Sequence, residues 1–161
     1  MRIGTGYDIH PFSEGGELRL GGITVENGRS LKGHSDGDIV LHALTDAILG
    51  AAGQGDIGEH FPDTDPSNKG RDSSFFLRRA KTLLENSGAV VANLDLTLII
   101  QEPVMSPYRS LMRKSIARTL GMDERRVNVK FKTAELMGPV GRGEAAECHA
   151  VVCAERMEEA R

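Results

Sequence analysis

The chain has 161 residues, 39% hydrophobic and 27% charged, which reads as a soluble globular protein rather than a disordered one, with residues 1–161 suiting a single domain. A net charge of −3, a pI near 6.0 and no basic run argue against a nucleic-acid partner. No apolar run reaches the ~20 residues a membrane span needs. The opening MRIGTGYDIH lacks the apolar core of a signal peptide, so the cytoplasm is the expected compartment.

Residues 2–10 alternate, with Ile3, Thr5, Tyr7 and Ile9 on one face and Gly4, Gly6, Asp8 and His10 on the other, which predicts a strand. Leu18–Leu20 and Ile23–Val25 flank Gly21-Gly22 as a small hairpin. The stretch LKGHSDGDIVLHALTDAILGAAGQGDIGEHFPDTDP, residues 31–66, organises the rest. Ser35 or Asp36 is the expected N-cap of an amphipathic helix, with Asp38 three residues after Ser35 as in a capping box. Val40, Leu44, Ala47, Ile48 and Ala51 form its buried stripe, and Gly53 ends it. Asp38, His42 and Asp46, four apart, would stack on one face.

A turn-rich loop follows over 55–70, then a second helix from about Ser73 to Asn86, burying Phe76, Ala80, Leu83 and Leu84. Leu94, Leu96, Leu98 and Ile100 alternate in the next strand. Ser106 is expected to cap a third helix with Pro107 at its first position and Gly121 after its end. Val127, Val129, Phe131 and Thr133 mark a further strand, and Ala145 to about Arg156 the last. The order predicts an α/β fold of the two-layer α+β kind, a sheet with helices on one face. Cys148 and Cys153 lie five apart on that last strand, on opposite faces and roughly 16 Å apart, so they cannot bridge and read as buried thiols in a reducing compartment. Nineteen glycines suggest close backbone approaches and loops that wrap a ligand.

Asp8 and His10 project from one strand face, and with His42 they would supply three N/O ligands and leave a tetrahedral position open, the donor set of a catalytic zinc site. A plain surface strand and a packed histidine remain the alternative. His34 and Ser35 precede a helix N-terminus, where free N–H groups favour an anion, or else Ser35 is simply a cap. Asp56, Asp63 and Asp65 make either a solvated acidic loop or one that binds a polyol or a divalent ion. Thr133 and Glu135, past a strand end, are placed to meet phosphate and a second hard cation, with Lys132 and Arg142 as nearby positive charge. Together these point to a phosphorylated polyol or nucleotide substrate. A zinc phosphohydrolase and a metal-stabilised binding module both fit the residues.

The blocks GYDIHPF, HSDGD, LHALTDAILGA, GDIG, FPDTDP and GRGEA, in this order and spacing along essentially the whole chain, resemble the 2-C-methyl-D-erythritol 2,4-cyclodiphosphate synthase family. The resemblance implies cyclisation of 4-diphosphocytidyl-2-C-methyl-D-erythritol 2-phosphate with release of CMP, in non-mevalonate isoprenoid biosynthesis. It implies one Zn2+ per chain on Asp8, His10 and His42, and Mg2+ or Mn2+ held with the help of Glu135. His34 and Ser35 match phosphate contacts, with His34 and Thr133 as transition-state stabilisers. Asp56, Ile57 and Gly58, with Phe61, Pro62, Asp63, Thr64 and Asp65, match the methylerythritol pocket. Ile100, Gln101, Glu102, Pro103, Val104, Met105 and Ser106, with Lys132 and Thr133, match the cytidine and phosphate side.

The resemblance further implies a homotrimer of mixed α/β subunits with each active site at a subunit interface. Val104 stands where the family commonly has lysine. Ala134 and Leu136 stand where it often has threonine and lysine. Pro139 and His149 replace a frequent phenylalanine and glutamate that line the trimer's central cavity, near Arg142.

Overall fold

The computed structural model describes residues 1–157, a mixed α/β fold. A five-stranded sheet is ordered β4 (Arg29–Leu31), β1 (Arg2–Glu14), β7 (Ala145–Arg156), β5 (Ala89–Ile99) and β6 (Val127–Lys132). All neighbours are antiparallel except β5 and β6, which makes the sheet mixed. A separate hairpin pairs β2 (Leu18–Leu20) with β3 (Ile23–Val25).

One face of the sheet carries the helices. α1 (Ile39–Ala52) lies across β1 and β7, α3 (Ser74–Asn86) packs on α1 and β5, and α4 (Arg109–Leu120) packs on β6. Between them Leu44, Ile48, Leu77, Leu84, Leu96, Leu98 and Val152 are fully buried, each contributing about 1.5–3 kcal/mol of apolar burial. The alternation expected of β1 is present, but its small and polar face turns inward. Gly4 and Gly6 lie directly under α1, where a Cβ on Gly6 would fall 2.0 Å from the Ala43 carbonyl oxygen. That contact brings β1 and α1 close enough for Asp8 and His42 to meet. The apolar face, with Ile3, Tyr7 and Ile9, points out of the sheet and is exposed, as is Val151 of β7.

Several local expectations change. The cap of α1 is Asp38, neither Ser35 nor Asp36: its carboxylate accepts from Val40 and Leu41 N–H. Asp38 therefore does not share a helix face with His42 and Asp46. It is fully buried and also accepts from Gly21 N at 2.8 Å and Gly22 N at 2.6 Å, fastening the hairpin turn to the helix. Gly53 ends α1 at φ 70°, as expected.

The 55–70 loop contains a short helix, α2 (Ile57–His60), capped by Asp56, and a 3-10 turn at Pro66–Asn68 capped by Asp65. Ser106 caps nothing. It opens a 3-10 turn, Ser106–Tyr108, because the buried Met105 anchors the chain just before it, and α4 starts only at Arg109. β5 begins at Ala89, earlier than the leucine alternation indicated, and β4 carried no signal of its own. Both cysteines are free, Cys148 buried and Cys153 half-buried. A short helix, α5 (Gly138–Gly141), precedes β7.

Candidate metal centre and substrate cavity

Asp8 and His10, two apart on β1, meet His42 from the second turn of α1. Asp8 Oδ2 lies 2.9 Å from His42 Nδ1 and 3.2 Å from His10 Nε2. One donor atom from each of the three residues lies within 4.8 Å of the others. Two imidazoles and a carboxylate converging from fixed elements suit a divalent metal with an open coordination position. Burial works against ionisation of Asp8, yet hydrogen bonding and the charge of His10 and His42 hold its pKa well below the ordinary carboxylate value. Burial likewise opposes charge on His42, and the hydrogen bond and charge of Asp8 outweigh it, so the His42 pKa is raised.

These side chains form one wall of a cavity of about 520 Å³. Of the residues expected at a site, Asp8, His10, His34, Ser35, His42, Ile57, Gly58, Phe61, Pro62 and Asp63 line it. Ser35 Oγ is 2.9 Å from His42 Nε2. His34 is exposed at the mouth, its Nε2 3.6 Å from Asp63 Oδ2 across the opening. Because Asp38 already occupies the N–H groups of Val40 and Leu41, the start of α1 has few donors left for an anion. That role falls to the side chains of Ser35, His34 and Lys32.

Asp56, Thr64 and Asp65 stand outside the lining, and Asp56 acts by capping α2. Lys32, Gly33, Asp46, Asn68 and Phe76 complete the cavity. Asp46 was legible from its spacing to His42. Burial and the nearby Asp56 and Asp8 charges raise its pKa against a hydrogen bond from Ile57 N at 2.8 Å. Lys32 carried only its proximity to His34 as a signal. Asn68 donates to the Pro62 carbonyl and so braces the loop.

The other expected residues lie outside this cavity. Across the sheet, Ile9 of β1 is in register with Glu147, Glu147 with Ile99, and Ile99 with Lys132. The segments after β5 and β6 therefore leave the same end of the sheet as Asp8 and His10, but two and three strand spacings away, roughly 10 and 14 Å. Ile100 and Met105 are buried, so only their main chain can meet a ligand, whereas Val104 is exposed. Lys132, Thr133 and Glu135 are exposed, and Thr133 Oγ1 donates to Glu135 Oε1.

Glu135 and Leu136 take left-handed backbone at φ 50° and 63°, an uncommon conformation for side chains of this size. The Gln101 side chain accepts from Leu136 N and ties the two segments together. Ala134 and Pro139 lie near these segments, and Arg142 pairs with Glu144 through two hydrogen bonds of 2.7 and 3.0 Å. Glu135 offers one carboxylate, so a magnesium or manganese ion there would complete its shell with phosphate oxygens or water.

The profile of the YgbB family matches residues 1–155. A 2-C-methyl-D-erythritol 2,4-cyclodiphosphate synthase from Solibacter usitatus is 49% identical over 156 residues, 97% of this chain and 98% of that protein. The bifunctional IspDF of Campylobacter jejuni superposes with a TM-score of 0.95 at 40% identity over 99% of this chain, which spans 43% of that longer one. A CDP-bound 2C-methyl-D-erythritol-2,4-cyclodiphosphate synthase superposes with a TM-score of 0.88 at 39% identity, over 96% of this chain and 100% of that one.

Proposed function

The chain belongs to the YgbB family, and from that premise we propose that it is a cyclising CMP-lyase of non-mevalonate isoprenoid precursor biosynthesis. It converts 4-diphosphocytidyl-2-C-methyl-D-erythritol 2-phosphate to 2-C-methyl-D-erythritol 2,4-cyclodiphosphate and releases CMP. Near full-length similarity to synthases of that name supports the reaction. The structural observation that carries it is the convergence of Asp8, His10 and His42 on a cavity that Ser35, His34 and Lys32 make suitable for phosphate.

In the reaction the substrate's 2-phosphate attacks the β-phosphorus of the cytidine diphosphate. A new P–O bond forms as the bond from that phosphorus to the bridging oxygen breaks, and CMP leaves with the oxygen. A phosphate monoester, with a second pKa of about 6, is already anionic near neutral pH, so no protein nucleophile is required. What the reaction needs is two mutually repelling phosphoryl groups held in line. A zinc ion on Asp8, His10 and His42, and a magnesium or manganese ion at Glu135, supply when bound the positive charge that this approach requires.

Ser35, His34 and Thr133 donate hydrogen bonds to phosphoryl oxygens. The loop with Ile57, Gly58 and Phe61 to Asp63 holds the polyol and bends it so that its ends meet, while Asp56 fixes α2 beneath and Asp65 caps the turn that follows. The segment from Ile100 to Ser106, with Lys132 and Ala134, receives the cytidine end.

Because the metal half and the nucleotide half of one chain lie apart, each site is completed between chains of a homotrimer, with Pro139 and Arg142 toward its axis. The exposed apolar face of β1 and β7 is suited to that assembly. A cytoplasmic location fits a metabolic enzyme, and among the described residues no helix is long and apolar enough to cross a membrane.

Incubation with substrate in water enriched in heavy oxygen tests the chemistry. Cyclisation yields CMP and a cyclic diphosphate, identified by phosphorus NMR, both without label. Label in CMP or in a released sugar phosphate would mean that water is the nucleophile and would make the enzyme a phosphohydrolase.

A further inference from the structure

Ser73 occupies the N-cap position of α3 yet makes no capping bond. Its fully buried hydroxyl turns away from its own helix toward two groups, His42 Nε2 at 2.9 Å and the carboxylate of Asp36. Asp36 also stands just before a helix without capping it. Its oxygens accept from Ser73 N at 3.0 Å and from Asp38 N at 3.2 Å. A serine and an aspartate, both strong capping residues, thus forgo about 1 kcal/mol each of helix stabilisation to reach one another.

The polarity of this chain of bonds follows from donor and acceptor counting. An ionised carboxylate can only accept, so the single hydroxyl hydrogen of Ser73 goes to Asp36. Ser73 Oγ is then left with lone pairs toward His42. If Nε2 were bare, two acceptors would face each other at 2.9 Å inside the protein, away from water that could relieve them. Nε2 therefore carries hydrogen. Ser35 Oγ, 2.9 Å from the same nitrogen, accepts from it too, and its own hydrogen stays free for Ser73 or for a ligand in the cavity.

We infer that Asp36 and Ser73 are positioning residues that hold the hydrogen of His42 on Nε2, so that Nδ1, the nitrogen beside Asp8, presents its lone pair to a metal. The inference rests on the reading of Asp8, His10 and His42 as the metal site and extends it to two residues behind it. Partners of this kind set the orientation and basicity of a ligating imidazole, and their loss typically weakens metal binding about 10–100-fold.

The test titrates metal-stripped full-length protein with zinc chloride against a chromophoric chelator. It compares wild type, Ser73→Ala and His42→Ala, with thermal melting as the check on folding. Ser73→Ala should bind zinc about 10–100-fold more weakly than wild type, with His42→Ala weaker still. Histidine nitrogen NMR of zinc-loaded wild type, which needs no variant, should show the His42 proton on Nε2. Zinc affinity of a folded Ser73→Ala within about twofold of wild type would overturn the relay, as would a His42 proton on Nδ1. Failure of wild type itself to bind zinc would overturn the metal reading beneath it.

Discussion

Around Asp8, His10 and His42 almost every group is fixed by another part of the same chain: β1 is pressed against α1 at Gly4 and Gly6, Asp38 locks the hairpin to the helix, and Ser73 and Asp36 stand behind His42. From Thr133 to Arg142 the opposite holds. Lys132, Thr133 and Glu135 are exposed, two consecutive residues take left-handed backbone, and the Thr133 and Gln101 side chains bond to that strained stretch. The first region is finished by folding. The second lies open on the surface, as a half-site awaiting a neighbouring subunit would.

Substitutions should separate the two regions by their effect on folding. Gly6→Ala puts a Cβ 2.0 Å from the Ala43 carbonyl oxygen and 2.8 Å from Ala47 N, both main-chain atoms of α1. The helix must move off the strand, at a cost of about 3 kcal/mol or more, and the metal ligands part with it. Chemical denaturation together with zinc content would show both losses, and an unchanged midpoint would mean that the close approach matters little.

Asp38→Ala leaves the N–H groups of Gly21, Gly22, Val40 and Leu41 without their acceptor. A loss of about 2–4 kcal/mol is expected in the same denaturation experiment. Glu135→Gly belongs to the other region and should leave folding nearly unchanged. Relief of the left-handed backbone offsets the greater freedom of the unfolded chain, so stability stays within about 1 kcal/mol of wild type. Turnover should nevertheless collapse under magnesium or manganese, as a steady-state assay would record.

The same contrast marks how far the sequence could be read. The strand face of Asp8 and His10, the helix of His42 and the aspartate-rich loop were all legible, because periodicity places side chains on faces and the structure joins those faces. The cap was misplaced because SDGD offers three competent capping residues, Ser35, Asp36 and Asp38, within four positions. Only the tertiary demand of the Gly21-Gly22 turn selects Asp38. Ser73 read as an ordinary helix start, since nothing local signals that its hydroxyl faces a residue 31 positions earlier. α2 is too short at four residues for a periodic pattern to register. The exposed apolar face of β1 was visible as an alternation, but which face would be covered depends on the glycines that let α1 approach.

The central claim, that one active site is assembled from the metal half of one chain and the nucleotide half of another, is tested most directly by mixing two inactive variants. His42→Ala removes the metal half and Glu135→Ala the other, and each alone should show almost no CMP release. After unfolding and refolding together in equal amounts, a site works when its metal half comes from a Glu135→Ala chain and its other half from a His42→Ala chain. Random assembly then restores about a quarter of the wild-type rate. No recovery from a mixture that sedimentation shows to be fully assembled would place both halves in the same chain and contradict the account.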